Sequence, residues 1–214
     1  MKILMVGKDW FPNTEGGLNR YFYGEILALH QMGVRGSALV SSFKPGQTSP
    51  FPLVQMAPEG ASLFRRLMGA RREAKGLANQ DVELINTHFS LYSFHWVNQL
   101  PNIPLVVNFQ GPYASEMFAE AVNLNERLKS LIAKRIELSA YRRASRIITL
   151  SAAFRDIAHN NYAVPLNRLR VVPGAIDLCP CRQIDVTREN SSLLPRDEIL
   201  EPSDRQALLR GTRD

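Results

Sequence analysis

The chain has 214 residues and is 45% hydrophobic, enough for one sizeable core or for a core and a tail. It contains no apolar run near the roughly 20 residues that cross a bilayer, and the run in MKILMVGKDWF is too short for a secretory signal. We therefore expect a cytoplasmic protein. The net charge of +6 favours an anionic partner.

Short apolar segments alternate with helical patterns as far as about residue 177. Predicted strands cover residues 2–7, 37–42, 51–56, 82–88, 104–110, 146–151 and 169–174. Helices are predicted over 18–32, 62–79 and 90–100, within 114–143, and up to about 161. This alternation predicts an α/β fold with a doubly wound, mostly parallel sheet of about seven strands.

The last 37 residues, 178–214, have a different composition. They contain no aromatic residue, and their charged residues are six arginines and seven acidic residues. Such a segment buries little apolar surface, so we predict one domain over 1–177 and a poorly ordered tail. Cys179 and Cys181 form a lone C-x-C without a nearby histidine, and we predict neither a metal nor a bound cofactor.

Ligands of doubly wound sheets bind beyond the carboxyl ends of the strands. Gly16 and Gly17 follow the first strand and precede a helix. The free N–H groups at the start of that helix suit a phosphate or sugar, and the glycines, which have no Cβ, let such a ligand approach the backbone. Their spacing fits neither a dinucleotide fingerprint nor a P-loop, so a plain turn is the alternative. His88 ends the fourth strand, either as a polar cap or as a ligand-binding group.

The stretch FQGPYASE, residues 109–116, follows the fifth strand. Gln110 ends that strand, Gly111 begins a turn, and Ser115 and Glu116 lie in the first turn of a helix. Glu116 either complements the helix dipole or holds a sugar hydroxyl. Ser151 ends the sixth strand at the same edge.

Two predicted helices, within 62–79 and 126–146, are amphipathic and basic, and the second sets its arginines and lysines against Glu126 and Glu137. Such helices suit an anionic membrane surface. A solvated charged face is the alternative. No nucleic acid is expected as a partner, because aromatic residues are not interleaved with the basic ones and no recognition motif occurs.

The segments ELINTHF, VVNFQGPYASE and RRASRIITLSAAFRDIAHNNYAVPLNRLRVVPGAID follow a strand, a GG loop and a helix. This order resembles the N-terminal half of retaining GT-B glycosyltransferases of family 4. In the last segment Ser151, Tyr162, Pro165, Pro173 and Asp177 fall in the family's register. The resemblance covers about residues 1–177 and implies a Rossmann-like acceptor-side domain, one half of a GT-B fold.

The resemblance implies sugar transfer from a nucleotide-diphosphate sugar, a co-substrate, to a glycan, lipid or small-molecule acceptor. It places Gly16 and Gly17 beside the diphosphate and the acceptor, with Asn19 and Arg20 behind them. Gln110 takes the position before the glycine of the family's HG motif, where histidine is usual. An amide does not take up a proton near neutral pH, so we assign no catalytic residue.

The family would continue after Asp177 into a second Rossmann domain with the E-x7-E carboxylates that hold the donor. The 37 residues that follow do not resemble a linker to such a domain. We expect an acceptor-side domain that is inactive alone, truncated before the second domain. The alternatives are one subunit of a transferase completed by a separate C-terminal-domain chain, or a non-catalytic scaffold docked at the inner face of the membrane.

Overall fold

The computed structural model describes residues 1–93 and 96–174. Seven strands run through them: β1 (Lys2–Val6), β2 (Arg35–Val40), β3 (Leu53–Gln55), β4 (Leu84–Thr87), β5 (Leu105–Phe109), β6 (Arg146–Thr149) and β7 (Leu169–Val171). The α-helices are α1 (Gly17–Gln31), α2 (Leu63–Ala78), α3 (Tyr113–Glu120), α4 (Leu124–Arg143) and α5 (Ala152–Tyr162). The predicted tail 178–214, and the end of the predicted domain at 175–177, lie outside these residues.

The seven strands form one parallel sheet with the order β3-β2-β1-β4-β5-β6-β7. The chain builds outward from β1 to β3 on one side, returns, and adds β4 to β7 on the other side of β1. The fold is therefore an α/β Rossmann-like half-domain, as the alternation of strands and helices predicts. The reversal of direction places a topological switch point between β1 and β4.

Both faces of the sheet are covered, because alternate strand residues point to opposite sides. Ile3 and Met5 of β1 pack with Phe22 and Ile26 of α1. The other face of the sheet packs against α2, α4 and α5, through a cluster that includes Val107, Tyr141 and Tyr162. This arrangement leaves the carboxyl ends of the strands and the loops after them at one edge of the domain.

The predicted helix over 90–100 is instead two short 3₁₀ segments, Ser90–Ser93 and Val97–Gln99. Side chains take the carbonyl groups that an α-helix would use. The indole N–H of Trp96 donates to the Tyr92 carbonyl at 2.7 Å, and the Ser93 hydroxyl donates to the Ser90 carbonyl at 2.8 Å. Such local side-chain bonds compete with the α-helical ladder.

Within residues 1–93 and 96–174, none of the helices has the length and apolar character that a bilayer crossing requires.

Candidate functional site

The candidate site lies at the switch point, where the loops after β1 and β4 are adjacent. The backbone N–H of His88 donates to the Val6 carbonyl at 2.8 Å, which joins the ends of the two strands. Gly7 follows at once, and a Cβ there would lie 2.7 Å from the Phe22 ring. Glycine at position 7 therefore lets α1 approach the sheet closely enough to form one wall of the crevice.

The predicted glycine pair lies at the start of α1. Gly16 is the N-cap residue, with φ of 129°, a conformation that disfavours every residue with a Cβ. Gly17 has no such backbone demand, and a Cβ on either glycine would meet no heavy atom within 4 Å. The backbone conformation of the turn accounts for a glycine at position 16. The open space beside Gly17 gives a ligand direct access to the backbone at the helix N-terminus.

Asn19 and Arg20, predicted to lie behind the glycines, differ in their surroundings. Asn19 is buried, accepts from the backbone N–H of Asp9 at 3.3 Å and donates to the Thr14 carbonyl at 3.1 Å. Its side chain therefore holds the glycine loop in shape. Arg20 is exposed, and its backbone N–H donates to the Gly16 carbonyl at 3.0 Å.

Asp9 is a further residue of this loop that was not singled out in the sequence. Its carboxylate accepts from the hydroxyls of Ser41 at 2.6 Å and Ser42 at 3.2 Å. These bonds tie the loop after β1 to the end of β2. The glycine loop is therefore held rigidly, because both of its ends are anchored to buried groups.

His88 lies beneath the crevice, with a side chain that is 0% exposed. Its Nε2 is 2.5 Å from Oε2 of Glu25, a short polar contact that is not aligned as a hydrogen bond. Its Nδ1 is 3.0 Å from the amide nitrogen of Gln110, and the rings of Tyr21 and Phe22 lie beside it, with centroids 5.3 and 5.1 Å away. The amide nitrogen of Gln110 can only donate, so Nδ1 of His88 accepts this hydrogen bond.

Glu25 connects this histidine to a second pair of strand residues. Its Oε1 accepts from the Asn86 amide at 2.8 Å, and Asn86 accepts from the Asn108 amide at 2.7 Å. Asn86 and His88 alternate on β4, as Asn108 and Gln110 do on β5, so all four face the α1 side. Burial and then the charge of Glu25 raise the pKa of Tyr21.

The loop after β5 forms the next wall of the crevice. Gly111 has φ of 153°, and a Cβ there would lie 3.2 Å from Oε1 of Glu116, so that carboxylate lies over the glycine. The backbone N–H groups of Ser115 and Glu116 donate to the Pro112 carbonyl at 2.8 and 3.0 Å. Glu116 is exposed.

Similarity to known proteins identifies the family of the domain that carries this crevice. Residues 15–179, more than three quarters of the chain, match the model of Glycosyltransferase Family 4. The chain belongs to this family. The resemblance noted in the sequence is therefore confirmed. No curated protein matches the sequence of this family 4 domain.

Solved glycosyltransferases share the fold of this family 4 domain. Sucrose-phosphate synthase from Thermosynechococcus elongatus is 17% identical, with a TM-score of 0.58 over 80% of this chain and 47% of that one. WaaG, a glycosyltransferase involved in lipopolysaccharide biosynthesis, is 16% identical, with a TM-score of 0.57 over 81% and 45%. HepE of Anabaena, in complex with UDP and glucose, is 16% identical, with a TM-score of 0.52 over 83% and 45%. The chain spans about half the length of these structures.

Ser151 lies one strand further along the same edge of the family 4 domain. It is the N-cap of α5, and its hydroxyl accepts from the backbone N–H of Phe154 at 3.2 Å. Capping accounts for a serine at this position. The structure thus brings the glycine loop, His88, Gln110 and Gly111 to adjacent strand ends, with Ser151 at the next strand.

Glu137 of α4 holds the start of α3 from below. Its Oε2 accepts from the backbone N–H of Ala114 at 3.3 Å and from the Tyr162 hydroxyl at 3.0 Å, and its Oε1 accepts from the Tyr141 hydroxyl at 3.4 Å. Burial raises the pKa of Glu137 to about 6, against the opposing effect of these hydrogen bonds, and the charge of Glu116 adds to the rise. Burial likewise raises the pKa of Tyr162.

The crevice offers hydrogen-bonding groups to a ligand. Its exposed groups are backbone N–H groups, an amide and the Glu116 carboxylate, which suit hydroxyl and phosphate oxygens. His88 has both ring nitrogens occupied by protein groups. Within residues 1–93 and 96–174 no three His, Cys, Asp or Glu side chains cluster as metal ligands would.

Proposed function

We propose that this chain is the acceptor-side domain of a glycosyltransferase that moves a sugar from a nucleotide-diphosphate sugar to an acceptor. The observation that carries the proposal is the exposed glycine pair at the start of α1, at the switch point of a family 4 domain, with His88 and Gln110 in contact at the ends of β4 and β5. Gly16, Gly17, Gln110, Gly111 and Glu116 line the sugar or diphosphate side. His88 and Asn19 keep the walls in place.

Ligand binding at the glycine loop tests this proposal. HepE holds UDP and glucose, so UDP-glucose, UDP and glucose are the probes. In amide NMR spectra of the chain, UDP-glucose is expected to shift the signals of Gly17, His88 and Gly111. Gly17→Val should abolish these shifts, because its side chain fills open space without a backbone clash.

Gly24→Ala is the matched control for Gly17→Val. Gly24 lies on the same helix, is exposed, and its added Cβ also meets nothing within 4 Å. This variant should bind the probes as the wild type does. Shifts that arise only outside the three loops, or that persist in Gly17→Val, would overturn the assignment of the site.

We further propose that residues 1–214 do not catalyse transfer by themselves. Sugar transfer requires the leaving diphosphate to be held while donor and acceptor are aligned. The chain spans 45–47% of the comparison structures, so half of such a cleft would be supplied by another domain or chain. No UDP release from UDP-glucose is expected. Turnover by the purified chain refutes inactivity, and co-purification of a second chain identifies a two-chain transferase.

Docking on a membrane is a second candidate function, favoured by exposed apolar side chains near basic ones. On α4 the outward residues Leu124, Leu128, Leu131 and Ile132 are 81%, 58%, 51% and 52% exposed. On α2 Phe64 is 71% exposed. Both helices run back from the carboxyl edge of the sheet, so the N-terminal halves that carry these side chains begin at the edge with the candidate site.

Vesicle flotation tests the membrane proposal. We expect the chain to bind vesicles that contain phosphatidylglycerol and to dissociate from them as salt is added. In the cell, the corresponding surface would be the inner face of a membrane. Leu128→Ser should reduce the bound fraction several-fold, because the variant loses about 1–2 kcal/mol of apolar burial in the membrane. Leu166→Ser, a residue of similar exposure (55%) on the segment before β7, should not. The membrane proposal would be contradicted if the chain bound neutral vesicles as well as anionic ones, or if both serine variants lost the same share of binding.

A further inference from the structure

A groove lies at the opposite edge of the sheet from the candidate site, between the Val97–Gln99 segment and the second half of α4. Its volume is about 690 Å³, and its lining residues are Asn98, Arg135, Leu138, Ser139, Arg142 and Arg143. The helix α4 ends here at Arg143, just before β6 begins at Arg146, and β5 begins at Leu105. The groove is therefore at the amino ends of the strands, apart from the crevice that the transferase proposal uses.

The charge of the groove is of one sign. Three of its lining residues are arginines and none is acidic. Across residues 1–93 and 96–174, the basic groups that lie within 4.0 Å of a carboxylate oxygen belong to Met1, Arg72, His88 and Arg155, so no groove arginine is paired in this way. Guanidinium groups are the preferred protein ligands for phosphate, which they bind through two parallel hydrogen bonds.

Arg143 forms the fixed end of the groove. Its Nη2 donates to the carbonyls of Leu100, Pro101 and Ile103 at 2.8, 3.0 and 2.7 Å. Its Nε is buried and has no hydrogen-bond partner among residues 1–93 and 96–174. The guanidinium is therefore held in one position, and its charge is not neutralised by a carboxylate within the described chain.

The other polar groups that line the groove lie along α4 and on the Val97–Gln99 segment. Arg135 and Arg142 are seven residues apart, about 10 Å along one face of the helix, which suits two linked phosphate groups reached by long side chains. Between them, Ser139 accepts a hydrogen bond from the Asn98 amide at 3.2 Å. The Ser139 hydroxyl proton thus remains available as an uncharged donor.

Complementing the helix dipole is the simpler role for these arginines. Cations in the last turn of a helix stabilise it, and Arg142 and Arg143 lie in that turn of α4. The dipole does not account for Arg135, which lies two turns earlier. Neither does it account for the convergence of three arginines, an amide and a hydroxyl on one groove.

We propose that this groove is a second anion site, which binds a ligand carrying one or two phosphate groups. The ligand is either a soluble phosphate compound or the phosphate headgroup of a lipid. The site is independent of the proposed transferase crevice, because the two lie at opposite edges of the sheet and share no residue.

The first arm of the test uses inorganic pyrophosphate and the labelled full chain. Pyrophosphate is expected to shift the Nε–Hε signal of Arg143 and the amides of residues 96–103 and 135–143. Arg135→Gln combined with Arg142→Gln should weaken this binding about tenfold or more, since each lost charge-assisted hydrogen bond is worth about a tenfold change. Arg35→Gln combined with Arg170→Gln is the control: two exposed arginines outside the groove and outside the two helices considered for membrane docking.

The second arm uses phosphatidylcholine vesicles with and without phosphatidic acid. Recruitment that requires phosphatidic acid and is lost in the Arg135/Arg142 double variant assigns the site to a lipid headgroup. Pyrophosphate shifts without recruitment assign it to a soluble phosphate compound. The proposal is overturned if neither arm gives a response, or if the two double variants lose affinity equally. Thermal unfolding of each variant verifies that it is folded.

Discussion

Gly69→Ala is expected to lower the free energy of unfolding by about 3 kcal/mol, the upper part of the range for overpacked cores. A Cβ on Gly69 would lie 1.7 Å from the carbonyl oxygen of Met56 and 2.7 Å from its carbonyl carbon. These are backbone atoms, and the Met56 N–H is bonded to the Val40 carbonyl at 2.9 Å. The carbonyl cannot rotate away as a side chain would, so α2 has to move off the sheet.

Gly76→Ala on the same helix is the matched control and should have the opposite sign. Gly76 is exposed, and a Cβ there meets no heavy atom within 4 Å. Alanine gains about 1 kcal/mol over glycine in a helix interior. Urea denaturation of both variants measures the contrast. If the two alanine variants have equal stability, the close approach of α2 to Met56 is not a constraint on this fold.

The close approach at Gly69 also shows what the sequence could and could not predict of this fold. The seven strands follow from apolar runs, and the helices between them from spacing and caps, such as Ser62, which accepts from the Arg65 N–H at 3.4 Å. These signals are local. The contact between Gly69 and Met56 depends on how far α2 lies from β3, which is a property of the packed fold.

The candidate site divides in the same way. Parallel strands end at one edge, so the sequence could predict that Gly17, His88 and Gln110 share that edge. It could not predict that β4 pairs with β1, and hence that His88 lies against Val6. Glu25 was not singled out, because a glutamate in a helix is usually exposed and its contact with His88 depends on the angle at which α1 crosses the sheet.

Glu137 is the clearest case of a role hidden by its surroundings. In the sequence it counts as an acidic residue of a basic helix, set against the arginines of α4. In the fold it is 2% exposed, and its carboxylate joins the start of α3 to Tyr141 and Tyr162. A charge that is buried with hydroxyl and amide partners, and with no cation among them, makes stability depend on pH.

The sign of that dependence follows from the direction of the pKa shift. Burial raises the pKa of Glu137 from 4.5 to about 6, so the folded protein binds this proton more tightly than the unfolded chain. The stabilisation from protonated Glu137 is complete below about pH 4.5 and is lost as pH rises through about 6. A rise of this size corresponds to about 2 kcal/mol.

Glu137→Gln removes the titrating group while retaining its shape, and is therefore expected to remove this pH dependence. Between about pH 4 and pH 7 the wild type should lose about 2 kcal/mol of unfolding free energy relative to the variant. The hydrogen bond that the amide cannot accept costs about 1 kcal/mol at every pH, so it shifts the comparison without changing its slope. Urea denaturation at several pH values measures both quantities.

Glu120→Gln is the control for the removal of a carboxylate. Glu120 is exposed at the end of α3, and this variant should lose stability with rising pH in parallel with the wild type. A constant difference between Glu137→Gln and the wild type across the pH range would contradict the buried, proton-binding state of Glu137. Because the same carboxylate accepts from the Ala114 N–H, the protection of the α3 amides relative to their intrinsic exchange rate should change with pH in the wild type and stay constant in Glu137→Gln.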